Sequence, residues 1–209
     1  MDWASLQLWA EDEEKRIHTC LVEALQQLVA GQSVNPEDGE HKISGKLRPH
    51  LYRTKKNLKL ASMLQFEASS FAEEESEKPF GHPDIRFTYN MPDYDQYDYD
   101  VECKLVRVKR QGKDHDYCKY YVTNGVKRFQ DSIYAQSLPP MGAMIGYIQE
   151  GEFVSLLGLV NDESRKNNFD EIILNDSFTE QNVALLTQKL QRSTDVCALT
   201  HLWADLRQV

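Results

Sequence analysis

The chain has 209 residues, 41% of them hydrophobic and 27% charged, and carries a net charge of −9. This is the composition of a globular chain long enough for one substantial core. It excludes a membrane-spanning helix, since no apolar run approaches the ~18 residues one needs, and it argues against a general nucleic-acid coat protein, whose affinity comes from excess lysine and arginine.

Residues 11–30 are predicted as an amphipathic helix, with Ile17, Leu21, Leu25 and Leu28 recurring at spacings of three and four and Gly31 as its stop. Residues 32–39 hold Ser, Asn, Pro and Gly and predict a turn or short linker. A second helix is expected from about Glu40, carrying Ile43, Leu47 and Leu51, with Pro49 placed to kink or end it. Residues 58–72 fit strand or helix equally. Ile85 to Tyr89 alternates and is rich in β-branched and aromatic residues, as a strand is. Met91 to Tyr99 reads as a polar connection, Asp100 to Val108 as the next strand, and Gln111 to Asp114 as a turn. A helix is expected over Tyr121 to Ala135, ended by Pro139-Pro140, followed by strands at Met144 to Ile148 and Phe153 to Val160. A short apolar segment at Glu171 to Leu174, a helix over Phe178 to Leu190 and a final strand over Val196 to Trp203 complete the chain. The sum is α/β, a central mixed sheet with flanking helices.

Two short motifs carry chemistry. Asp84 follows Pro83, which is expected at a bend or a strand start because it cannot donate a ladder hydrogen bond. Glu102-Cys103-Lys104 lies in a strand, where i and i+2 share a face, so Glu102 and Lys104 project together and Cys103 packs behind. Asp100 shares that face, as an extra ligand or an edge charge. If the two strands pair, Asp84 approaches Glu102. Two carboxylates suit a hard divalent cation. Such a cation polarises a phosphoryl oxygen and lowers the pKa of bound water. A lysine beside them can orient or activate the nucleophile, or neutralise charge developing on the phosphate.

Pro83-Asp84 and Glu102-Cys103-Lys104 together make the chain resemble the PD-(D/E)XK nuclease superfamily, which includes restriction endonucleases and many repair and phage-defence nucleases. The resemblance implies a restriction-endonuclease-like core of α-β-β-β-α-β order over about 40–148, preceded by an N-terminal helical segment at 1–36 and followed by a C-terminal α/β extension at 149–209. It implies Asp84 and Glu102 as metal-binding acids, Lys104 as the catalytic lysine, and Mg²⁺ as cofactor, with Mn²⁺ as substitute. Glu40 stands where family members often place another metal-linked acid, with Glu67 as its rival. Gln130 and Tyr134 have the glutamine-x-x-x-tyrosine spacing of the RecB-like exonucleases, and residues four apart share a helix face. Lys127 and Arg128, one turn earlier, are candidates for phosphate contact, Arg128 above all because a guanidinium grips phosphate at two points. Tyr120 and Tyr121 are expected in the core, or stacked on bases.

The expected activity is therefore a metal-dependent nuclease acting on DNA in restriction, repair or anti-phage defence. The cutting kit reads phosphate and not sugar, so RNA stays open as a substrate. The rival is a nuclease-fold subunit that binds or assembles without cutting. A protein partner or a homodimer is expected, with the first helix as interface or lid. His115 with Cys118 and His18 with Cys20 lack a second zinc-spaced pair. There is no phosphate loop for ATP, so no nucleotide cofactor site is expected. His201, among apolar residues, reads as structural. Met1-Asp2-Trp3 has no basic-then-apolar pattern, and four dispersed cysteines suit reduced thiols, so a cytoplasmic protein is expected.

Overall fold

The computed structural model describes residues 3–66, 82–91, 94–110, 113–176 and 182–207. Its framework is an open eight-stranded mixed sheet with helices on both faces. The strands are β1 (Met63–Phe66), β2 (Ile85–Met91), β3 (Tyr94–Arg110), β4 (Lys113–Asp116), β5 (Met141–Ile148), β6 (Ile173–Asp176), β7 (Val183–Gln191) and β8 (Val196–Asp205). They lie in the order β1-β2-β3-β5-β8-β7-β6, with β4 added to β3. β3, β5 and β8 run parallel at the centre, and the outer pairs are antiparallel. β5 is buried along its whole length, as its near-continuous apolar sequence requires of a central strand.

α1 (Trp3–Ala30) and α2 (Glu40–Asn57) cover one face. Ile17, Leu21, Leu25 and Leu28 from α1 and Ile43, Leu47 and Leu51 from α2 pack there with Val101, Cys103 and Leu105 of β3. The apolar face of α1 is thus spent on its own sheet, which makes this helix a wall and not a lid. Pro49 stays inside α2 without ending it. It sits on the exposed side, opposite the buried row. The other face is covered by a continuous helical segment and by α5 (Phe153–Lys166). That segment comprises α3 (Cys118–Tyr120), a π-helical turn (Tyr121–Val126) and α4 (Lys127–Gln130).

Several expectations are corrected. Phe153 to Val160 is helix, not strand: Leu156, Val160 and Ser164 are its buried row, and Val154, two residues before that row begins, is 79% exposed. Val183 to Leu190 is strand, not helix, because pairing with β6 and β8 on both sides outweighs local propensity. Residues 178–181 of that expected helix lie outside the described residues. Tyr94 to Tyr99 is strand and not connection, paired with β2 in a ladder where Tyr97 and Tyr99 point into the core. Lys113 and Asp114 belong to β4, not to a turn. The helix expected to reach Ala135 ends at Gln130. Ser132 and Ala135 then adopt positive φ, and the turn is tied down by Asp100, which accepts from the Ala135 N–H, and by Arg192, which donates to the Tyr134 and Ala135 carbonyls.

Among the described residues, no helix is long and apolar enough to cross a membrane. All four cysteines are buried and free.

Candidate active site

A gap in a strand edge makes the site. One edge of β3 is paired with β5 from Asp100 to Arg107. On its other edge, β2 pairs as far as Val101 and β4 resumes at Arg107. Between them, the backbone of β3 must find other partners, since an unpaired buried amide is costly. Two carboxylates supply them. The Cys103 N–H donates to Asp84 Oδ2 at 2.6 Å, and the Leu105 N–H donates to Glu40 Oε2 at 3.2 Å. The Tyr117 N–H closes the gap on the Val106 carbonyl at 3.0 Å.

Chain geometry explains why these residues arrive there. Ile85 opposes Val101, so Asp84 stands one residue beyond the last β2–β3 pair, opposite Glu102. Glu40 is the first residue of α2, whose buried row fixes it against β3. Strand parity holds as expected: Val101, Cys103 and Leu105 face α1 and α2, and Glu102 and Lys104 face the helical segment. That segment approaches closely because of Gly125, where a Cβ would stand 2.4 Å from Met144 Cε and 3.4 Å from Lys104 Cγ.

The Lys104 ammonium is held on three sides, by Glu102 Oε1 at 2.7 Å, Glu40 Oε1 at 3.0 Å and the Cys103 carbonyl at 2.9 Å. Burial alone would push its pKa down, but Glu102, Glu40 and Asp84 together outweigh burial and raise it above the ordinary lysine range. Glu102 Oε1 also accepts from Arg128 Nη1 at 3.0 Å. Arg128 in turn donates to the Tyr134 hydroxyl, which donates to the His82 carbonyl at 2.8 Å. Glu102 Oε2 is buried and, among the described residues, has no hydrogen-bond partner. Burial, and then the charge of Asp84, raises the Glu102 pKa to about 7, against the opposing pull of Lys104 and Arg128.

The structure thus brings together Asp84, Glu102, Lys104, Glu40, Arg128 and Tyr134. It does not bring Lys127 or Gln130 to them. Lys127 is exposed and pairs with Asp131 at 3.0 Å, and Gln130 donates to the Gln191 carbonyl at 2.6 Å. The shared helix face expected for Gln130 and Tyr134 does not exist, because the helix ends between them. Asp100 is a scaffold and not a ligand: Arg86 Nε holds one of its oxygens at 2.7 Å and the Ala135 N–H the other at 3.0 Å. Tyr121 is buried as expected, but Tyr120 is 56% exposed. Glu67 lies outside the described residues. Sequence reasoning missed Tyr117 and Gly125, one acting through its backbone and the other through an absent side chain, and neither leaves a pattern to read.

The donor set suits a hard cation. Asp84, Glu102 and Glu40 offer only oxygen, and the partnerless Glu102 Oε2 is a buried lone-pair group that a cation would satisfy. Among the described residues, no three His, Cys, Asp or Glu side chains converge as a ready-made metal cluster. Within the site, the Lys104 ammonium stands between Glu40 and Glu102.

No protein-family model matches the chain, and no curated protein or solved structure matches it either.

Proposed function

We propose that this site is the centre of a metal-dependent nuclease that hydrolyses phosphodiester bonds, with DNA as the first substrate to test. The observation that carries the reading is the meeting of Asp84, Glu102, Glu40 and Lys104 at the β3 gap, with one Glu102 oxygen buried and, among the described residues, unsatisfied. The order α2, β1, β2, β3, helical segment, β5 supports a restriction-endonuclease-like core, with β4 as an added hairpin strand.

Asp84 and Glu102, with Glu40 beside them, are the residues that would hold Mg²⁺ or Mn²⁺. The cation, when bound, supplies Lewis-acid polarisation of the phosphate and a more acidic water. Lys104 stays protonated, so its part is electrostatic: it orients the nucleophile and neutralises charge growing on the phosphoryl oxygens, and it does not act as a base. Arg128 anchors Glu102 through Nη1 and, about a third exposed, turns its remaining N–H groups toward a phosphate. Tyr134 fixes Arg128 from behind. With four buried free thiols, the protein suits a reducing, cytoplasmic setting.

The test is incubation with supercoiled, linear and single-stranded DNA and with RNA, each in Mg²⁺ or EDTA. Cutting is expected in Mg²⁺ alone and is expected to vanish in Asp84→Ala, Glu102→Ala and Lys104→Ala. Mg²⁺-dependent cutting retained by the two acid variants would refute the assignment. A folded wild-type protein that binds nucleic acid but cuts none of these substrates would favour an assembly subunit.

A further inference from the structure

α2 begins at the site and is strongly basic. After Glu40 it carries Lys42, Lys46, Arg48, Arg53, Lys55 and Lys56 and no further acid, in a chain whose net charge is −9. Lys42 and Lys46 are spent on Asp38, and Lys55 donates to the Leu60 carbonyl. Arg48, Arg53 and Lys56 are different. All three are exposed on the side opposite the buried row of Ile43, Leu47 and Leu51, and among the described residues none is paired with a carboxylate. Uncompensated cations on one helix face are the electrostatic footprint of a phosphate backbone.

The same face carries an aromatic platform, two rings tilted 55° to one another. Tyr52 is 53% exposed, its ring 5.3 Å from that of Phe66 on β1, and the Arg48 guanidinium lies 4.5 Å over the same Phe66 ring. Phosphate contact alone would need only the cations. An exposed tyrosine flanked by a phenyl ring and a guanidinium offers a face on which a base can stack, and only an unpaired base presents its face. Between platform and site, Gly45 leaves the helix surface open: a Cβ at that position would meet nothing within 4 Å. Tyr52 stands about 18 Å along the helix from Glu40, at ~1.5 Å per residue.

We propose that the exposed face of α2 binds single-stranded nucleic acid, Arg48, Arg53 and Lys56 tracking its phosphates and Tyr52 stacking a base, so that the strand is led to the Asp84–Glu102–Lys104 centre. The direction of the path rests on the nuclease reading; the binding does not. A strand held this way is an unpaired end, flap or gap, in DNA or RNA, and not the interior of a duplex.

Fluorescence anisotropy in EDTA, at about 50 mM salt where phosphate contacts are strong, tests this with labelled single-stranded DNA, single-stranded RNA and a blunt duplex. Both single strands are expected to bind at least about tenfold more tightly than the duplex. Tyr52→Ala is expected to weaken single-strand binding about tenfold, the size of one lost stacking contact, and to leave duplex binding and the melting temperature unchanged. Arg48→Gln with Arg53→Gln and Lys56→Gln is expected to lower the slope of log affinity against log salt by about 2, three phosphates at ~0.7 each. Preference for the duplex, unchanged single-strand binding in Tyr52→Ala, or an unchanged slope in the triple variant would each overturn the proposal. Failed cutting with intact binding counts against the nuclease reading alone; intact cutting with failed binding counts against this path alone.

Discussion

Two buried polar arrangements lie on the same face of the sheet, and they are built on opposite rules. Beneath the helical segment, Trp203 Nε1 donates to the Tyr121 hydroxyl at 3.0 Å, that hydroxyl donates to His201 Nδ1 at 2.8 Å, His201 Nε2 donates to Gln188 Oε1 at 3.1 Å, and Gln188 Nε2 donates to the Asp170 carbonyl at 2.5 Å. The Asp170 carbonyl, which can only accept, orients the Gln188 amide so that its Oε1 accepts from His201 Nε2, and this sets the neutral His201 tautomer whose Nδ1 accepts from the Tyr121 hydroxyl. At the β3 gap, by contrast, one Glu102 oxygen takes two cations and the other, among the described residues, takes nothing. A closed network specifies a core. An open one, with Asp84, Glu102 and Glu40 gathered around Lys104 and Arg128, costs stability that the fold alone does not return, and such a cost is expected at a site built for a ligand.

The contrast can be broken or sharpened by substitution. The largest effect is expected at the open site: on the nuclease reading proposed above, Lys104→Ala should lower the cleavage rate at least about a thousandfold, with the far-UV spectrum and melting cooperativity kept. An active Lys104→Ala protein would remove the lysine from the chemistry. In the closed network, Tyr121→Phe should leave Trp203 Nε1 and His201 Nδ1 without partners and destabilise by about 2–4 kcal/mol, read by denaturant unfolding, with cation binding unchanged.

Acid should act on the two regions with opposite sign. Burial lowers the His201 pKa to about 3, so its contribution is present above pH ~6.5 and is lost as pH falls. Glu102 is raised to about 7, so its contribution is present below pH ~4.5 and is lost as pH rises through 7. Glu102→Gln should therefore stabilise the cation-free protein relative to wild type progressively across that window, by about 1.4 kcal/mol per pH unit. A pH-independent difference between the two proteins would mean that Glu102 titrates normally. The smallest effects are expected outside the site: Lys127→Ala and Gln130→Ala should change stability by less than about 0.5 kcal/mol in the exposed Lys127 pair and leave cleavage near wild type.

The difference between these regions also explains what could be read from the sequence. Strand alternation is local, so the placement of Glu102 and Lys104 opposite Cys103 was legible, and so was Asp84 once β2 and β3 paired. The amphipathic rows of α1 and α2 were legible for the same reason. The end of α4 was not, because Asp100 on β3 and Arg192 in the β7–β8 connection, both distant in sequence, impose it. That is why Gln130 was misplaced beside Tyr134. β7 was misread because its Ala, Leu, Gln and Lys residues suit a helix, and two neighbouring strands decide otherwise. The closed network joins residues 80 apart in sequence, so no spacing announced it.

The most direct measurement is a thermal-shift titration with Mn²⁺ at pH 8 on wild type, Asp84→Asn and Glu102→Gln. Stabilisation that grows with concentration as RT ln(1 + [M]/Kd) is expected for wild type and should be absent from both variants, even though Glu102→Gln starts from the higher melting temperature. An equal rise in all three proteins, or none in wild type, would contradict the claim that the unsatisfied Glu102 oxygen belongs to a cation site.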